Sequence, residues 1–118
     1  MVFIESLWFS RRLEQLAGAN APEILTAMEN DLLADPLRGK LVPGLGGVRK
    51  ARIGNPGRGK GKRGGFRYFY LFVELRGHIH LLYLLDKNEQ EDMTHRERET
   101  LRKIVSEIKK RGGTNGET

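Results

Sequence analysis

No cysteine occurs among the 118 residues. Its absence removes disulfide frameworks, cysteine-ligated zinc and thiol nucleophiles together, and it suits a reducing compartment. Long apolar runs are also missing. The longest, Phe66 to Leu75 and Ile79 to Leu85, are interrupted by charge and fall short of the ~20 residues a bilayer-spanning helix needs. The opening, Met1 to Glu5, has neither the basic start nor the small-residue cleavage site of a secretory signal. Glycine is plentiful, yet no G-x-x-x-x-G-K-[ST] follows a strand, so a nucleoside triphosphate loop is excluded. These absences leave a soluble cytoplasmic chain without a membrane partner as the expectation.

Positive charge is in excess. Lys and Arg number 21 against 15 Asp and Glu, a formal net charge of +6. Such a balance favours a polyanionic partner and says little about fold. Nucleic acid, an anionic lipid surface and an acidic protein all stay open on charge alone.

The chain length fits one domain, expected over residues 2–111, with 112–118 as a flexible tail. Val2 to Glu5 reads as a short first strand. Leu7, Phe9, Leu13 and Leu16 give an amphipathic helix ending near Gly18. Asn20 as N-cap and Pro22 in the first turn start a second helix, striped by Ile24, Leu25, Met28, Leu32 and Leu33 and closed by Asp35-Pro36. After a loop rich in Gly and Pro, Val48 to Ile53 alternates: Ala51 and Ile53 on one face, Lys50 and Arg52 on the other. Residues 54–65, with six glycines and four basic residues, form a basic loop. Phe66 to Leu75 and His78 to Asp86 read as a central hairpin turning at Arg76-Gly77. Thr94 and Glu97 make a capping box for a last helix that Gly112-Gly113 ends near Arg111. The order is β-α-α-β-β-β-α, an α+β domain with an antiparallel sheet packed against helices on one face. The other face is left to carry basic side chains.

Four constellations bear on chemistry. Lys50, Arg52 and Arg67 sit on adjacent strands with Arg49 beside them, and the loop adds Arg58, Lys60, Lys62 and Arg63. Such cations hold phosphates and can stabilise the pentavalent transition state of phosphodiester cleavage. The bland alternative is a solvated edge strand with a basic loop. Lys87, at the end of the last strand, can reach over the same face or simply be solvated in a polar turn. His78 and His80 alternate on one strand, but no third ligand of suitable spacing accompanies them, so no metal is expected. The aromatic run Phe66, Tyr68, Phe69, Tyr70 and Phe72 can stack bases, yet its density in a central strand favours core packing. Tyr68 and Tyr70 fall on the face opposite Arg67.

Three segments in order, Pro43 to Arg52 (PGLGGVRKAR), Gly61 to Arg67 (GKRGGFR) and Leu85 to Thr94 (LDKNEQEDMT), resemble the HigB-like branch of the RelE/ParE toxin superfamily. The resemblance covers roughly residues 2–111. It implies the small RelE-like α+β domain and a toxin of a type II toxin-antitoxin system. It further implies an endoribonuclease that cleaves mRNA in the ribosomal A site by 2′-hydroxyl attack, with no metal or other cofactor. The implied partners are the 70S ribosome with its mRNA, and a cognate antitoxin, commonly helix-turn-helix, encoded by the adjacent gene. By position, Lys50 and Arg52 match the paired basic residues of the second strand, Arg67 the arginine opening the next, and Lys87 the basic residue closing the last. Neither the tyrosine near Thr94 of some relatives nor the histidine and acidic set of others is present. A gyrase-inhibiting ParE-like toxin and a non-catalytic RNA-binding module are the alternatives.

Overall fold

The computed structural model describes residues 1–54 and 65–117, with side chains through Arg111. Among the described residues, five strands and three α-helices run in the order β1 (Val2–Glu5), α1 (Leu7–Ala17), α2 (Ala21–Ala34), β2 (Lys40–Leu41), β3 (Arg49–Ile53), β4 (Phe66–Val73), β5 (His78–Asp86) and α3 (His95–Glu117). The α+β class read from the sequence holds. The sheet order is β1-β5-β4-β3-β2, with β1 parallel to β5 and every other pair antiparallel. Two details differ from the expected sheet. It is mixed at one edge, and β2 adds a two-residue strand opposite Arg49 and Lys50.

The helices occupy both faces and not one. Phe9 and Leu13 of α1 and Ile24, Met28 and Leu32 of α2 pack on Phe66, Tyr68, Tyr70, Ile79, Leu81 and Leu84. Met93 and, on α3, Leu101 and Val105 pack on the other face, against Val48, Phe69, Leu71, Leu82, Tyr83 and Leu85. The physical reason is legible in β4. Its alternate residues are apolar on both sides, so both faces must be covered.

Local signals explain the helix boundaries. Ser6 caps α1, its hydroxyl accepting from the Phe9 N–H at 2.9 Å. Asn20 makes no cap. It lies in a 3₁₀ turn (Gly18–Asn20) that leads directly into α2, which starts with Pro22 in its first turn. The capping box of α3 is formed as expected: Glu97 N–H to Thr94 Oγ1 at 3.1 Å, and Thr94 N–H to Glu97 Oε1 at 2.9 Å. The helical backbone continues past Gly112-Gly113 to Glu117, beyond the expected end, because each glycine costs a helix only about 1 kcal/mol relative to alanine.

One irregularity positions the site. Phe69 pairs with Tyr83 and Tyr70 with Leu81, so Leu82 is an extra residue, a β-bulge in β5. Before it, Ile79 and Leu81 face α1 and α2. Unbroken alternation would send Tyr83, Leu85 and Lys87 to that same face. The bulge moves Tyr83 and Leu85 to the α3 face, and Lys87 follows their alternation.

The edge of β5 beyond β1 is closed by α1. The Ser6 hydroxyl donates to the Leu82 carbonyl at 2.8 Å, and Arg12 Nε to the Leu84 carbonyl at 3.0 Å. Open strand edges invite pairing with other chains, and these two bonds satisfy one. Among the described residues, no helix is long and apolar enough to cross a membrane.

Candidate nucleic-acid interface

Pairing of β3 with β4 sets Arg52 directly opposite Arg67, and Lys50 opposite Phe69. Cross-strand partners share a face, so Lys50, Arg52 and Arg67 lie on the α3 side of the sheet. Leu85 faces Arg67 from the next strand, and Lys87 follows two residues on. Lys40 of β2 lies opposite Lys50 and adds an exposed cation that the sequence reading did not include. Its signal was hidden because a two-residue strand has no period to detect.

The segment after β5 folds back over this cluster. It is a built turn: the Asp86 carbonyl accepts from the N–H groups of Glu89 and Gln90, both at 3.0 Å, and Asp86 Oδ1 from Asn88 N–H at 2.9 Å. Lys87 N–H donates to the Gly65 carbonyl at 3.2 Å, tying the turn to the start of β4. Lys87 Nζ is 3.1 Å from Glu91 Oε1. Arg67 Nη1 donates to the Glu91 carbonyl at 2.9 Å and lies 4.0 Å from Asp92 Oδ1. The hydrogen bond and charge of Lys87, then the charges of Arg67 and Arg52, hold the Glu91 carboxyl below the ordinary carboxylate range. Three cations from three places in the chain therefore act on one carboxylate. An arrangement that holds a carboxylate there can hold a phosphodiester oxygen.

The turn is braced from behind. Glu97 accepts from the Tyr83 hydroxyl and from Gln90 Nε2, both at 2.6 Å, besides the Thr94 N–H of the capping box. The Tyr83 ring stacks on Trp8 with centroids 3.8 Å apart, and the Arg12 guanidinium lies 5.4 Å from its centroid. Burial, then the bond to Glu97, raise the Tyr83 phenol above its usual range. For Glu97, burial raises the carboxyl, but the bonds from Tyr83, Thr94 and Gln90 outweigh it and the net shift is downward. The sign of the pH effect follows. A carboxyl lowered in the folded state adds stability above its ordinary value of 4.5, and loses it as pH falls through the folded value. Denaturant unfolding at pH 7 and pH 3.5 is expected to show a larger acid loss in the native chain than in Glu97→Gln. The expected difference is up to about 1 kcal/mol, the scale of a screened charged contact. Equal losses contradict the bracing role.

Not every expected residue joins the cluster. Arg49 points to the opposite face, sharing it with Tyr70 and Ala51. Its guanidinium donates to the carbonyls of Gly39 at 2.7 Å and Leu37 at 3.3 Å, so it braces the loop entering β2. Tyr70 assists: its hydroxyl donates to the Pro36 carbonyl and accepts from the Gly39 N–H, both at 2.9 Å. Glycine is required at 39, since a Cβ there would sit 2.8 Å from the Lys50 carbonyl oxygen. Tyr68 and Tyr70 are buried in the α1/α2 core, away from Arg67, as their alternation predicts. His78 and His80 have ring centroids 6.1 Å apart, and no group of three metal-binding side chains converges among the described residues. The expected RNA-binding residues Arg58, Lys60, Lys62 and Arg63 lie outside the described residues.

A small mixed sheet carrying a cation cluster beside a capped C-terminal helix defines a class that comparison with known proteins identifies. A family model described as the RelE toxin of the RelE / RelB toxin-antitoxin system matches residues 9–115. The chain belongs to the RelE toxin family, within the RelE/ParE superfamily. Solved structures agree on the fold. A toxin-antitoxin complex of the RelBE type from Mycobacterium tuberculosis matches with a TM-score of 0.55 and 22% identity, over 72% of this chain and 95% of that one. The free E. coli toxin RelE, in a double arginine-to-alanine mutant, gives a TM-score of 0.53 and 12% identity, over 76% of this chain and 86% of that one. The intact E. coli RelBE toxin-antitoxin complex gives 0.51 and 12%, over 70% and 92%.

Proposed function

We propose that this toxin is a ribosome-dependent mRNA endonuclease of the HigB-like branch, acting in the A site. The observation that carries the reading is the clustering of Arg52, Arg67 and Lys87 on one face: Arg52 pairs with Arg67 across β3–β4, and Arg67 and Lys87 both reach the turn at Glu91 and Asp92. In the reaction, the 2′-hydroxyl oxygen attacks the adjacent phosphorus and the bond to the 5′-oxygen breaks. A proton leaves the 2′-hydroxyl and one is delivered to the 5′-oxygen. The products are a 2′,3′-cyclic phosphate and a 5′-hydroxyl, so neither metal nor cofactor enters the balance. The protein's part is electrostatic. Preorganised cations stabilise the extra negative charge of the five-coordinate phosphorus, an effect worth about 10²–10³ in rate for a single donor in comparable sites. Lys40 and Lys50, on the same face, extend the positive track along the backbone of the bound strand. The partner that silences it is a cognate antitoxin, a reading supported by the RelBE complexes among its structural relatives. A helix-turn-helix protein encoded by the adjacent gene fits that role.

The test is cleavage of a defined mRNA by the purified protein, with and without 70S ribosomes stalled with an empty A site. Cuts are expected only on the ribosome, and the new 5′ ends are expected to accept phosphate from a kinase without prior phosphatase treatment. Equal cutting of naked mRNA overturns ribosome dependence. Intact mRNA together with blocked DNA supercoiling favours gyrase inhibition.

A further inference from the structure

Glu91 has an unusual place for an exposed residue. Its side chain is 82% exposed, yet its carboxylate turns inward to Lys87, whose own side chain is only 11% exposed. Arg67, 13% exposed, lies beneath the same turn, donating to the Glu91 carbonyl and 4.0 Å from Asp92 Oδ1. One of the cations expected to hold RNA, Lys87, is thus already occupied by an anion of the chain itself, and Arg67 lies within 4.0 Å of a second, Asp92. We propose that Glu91 is a resident counter-ion standing where an RNA phosphate binds, and that it sets the selectivity of the site for a strand delivered in register. The inference rests on the reading that this cluster binds RNA backbone.

Three features support it. A carboxylate and a phosphodiester carry the same unit charge and offer the same kind of oxygen acceptors, so either satisfies Lys87. The backbone under Glu91 is fixed, by the Arg67 bond to its carbonyl and by the Asp86 turn and the Gln90–Glu97 contact on the N-terminal side. The side chain alone is free to swing, and an exposed glutamate regains rotamer freedom when it does. Exchange therefore needs a side-chain rotation and no rearrangement of the turn. While Glu91 is seated, the fraction of molecules ready for phosphate is reduced, and affinity for loose polyanion falls by the same fraction. A strand held in place elsewhere, presenting its phosphate at high local concentration, overcomes that loss.

The probe is a fluorescent oligoribonucleotide with 2′-O-methyl sugars, which cannot be cleaved, followed by anisotropy at fixed salt. Glu91→Gln is expected to bind it about two- to fivefold more tightly than the native chain, the upper range for a screened ion pair removed. Glu99→Gln is the control. It removes the same charge from an exposed ion pair with Arg102 on α3, and a change below about twofold is expected there. In a Lys87→Ala background the gain from Glu91→Gln should shrink to that of the control. If Glu91→Gln binds no more tightly than Glu99→Gln while Arg67→Ala still loses binding, the counter-ion inference falls and the RNA site stands. If Arg67→Ala binds as tightly as the native chain, the site reading falls, and the inference with it.

Discussion

Induction of Arg67→Ala in a bacterium is expected to leave growth unaffected at expression levels where the native chain arrests it. Arg67 is the central cation of the cluster: it faces Arg52 across the β3–β4 pair and approaches both Glu91 and Asp92. Removing one preorganised donor from the charge that develops in a transition state costs about 10²–10³ in rate. Arg67 also makes one structural hydrogen bond, to the Glu91 carbonyl, and a bond of that kind is worth about 1–3 kcal/mol to stability. The variant should therefore still unfold cooperatively, at a midpoint lowered by roughly 10 °C at most. Folded protein without arrest supports the site. Folded protein with undiminished arrest removes Arg67 from it.

The second large effect lies in the core that carries the site. Phe69 is fully buried on the α3 face, packed with Leu71, Tyr83 and Leu85, and it sits opposite Lys50 in the β3–β4 register. Phe69→Ala is expected to lose about 3–5 kcal/mol, transfer and cavity terms together. For a chain of this length that corresponds to a fall of roughly 10–20 °C in the melting temperature. Denaturant titration gives the value directly. A loss below about 1 kcal/mol would mean that α3 does not pack on this face as described.

Much of this was legible from residue order alone. The β4–β5 hairpin showed as two aromatic and branched runs around Arg76-Gly77, and Gly77 does adopt the left-handed φ of 64° that the turn needs. The capping box was readable because Thr94 and Glu97 carry both halves of it. The alternation in β3 separated Lys50 and Arg52 from Ala51 and Ile53, and the register confirms that separation. The same alternation already placed Arg49 with Ala51, a signal outweighed by its nearness in sequence to Lys50.

Other features had no local signature. The strand β2 exists only through its pairing with Arg49 and Lys50. The parallel placement of β1 depends on where α1 returns the chain. The bulge at Leu82 is invisible because β5 is apolar on nearly every position, so a shift of one residue leaves the pattern unchanged. Yet that bulge decides which face Lys87 joins. Glu91 was hidden for a different reason. In a run of polar residues, nothing local distinguishes a carboxylate that turns back on a half-buried cation from one that is merely solvated.

The most direct test of the central claim is a map of transcript 5′ ends within minutes of inducing the native chain, beside Arg67→Ala. The account predicts new ends confined to translated regions, in phase with the reading frame and absent in the variant. Arrest of growth with transcripts intact, or the same ends in both strains, would contradict it.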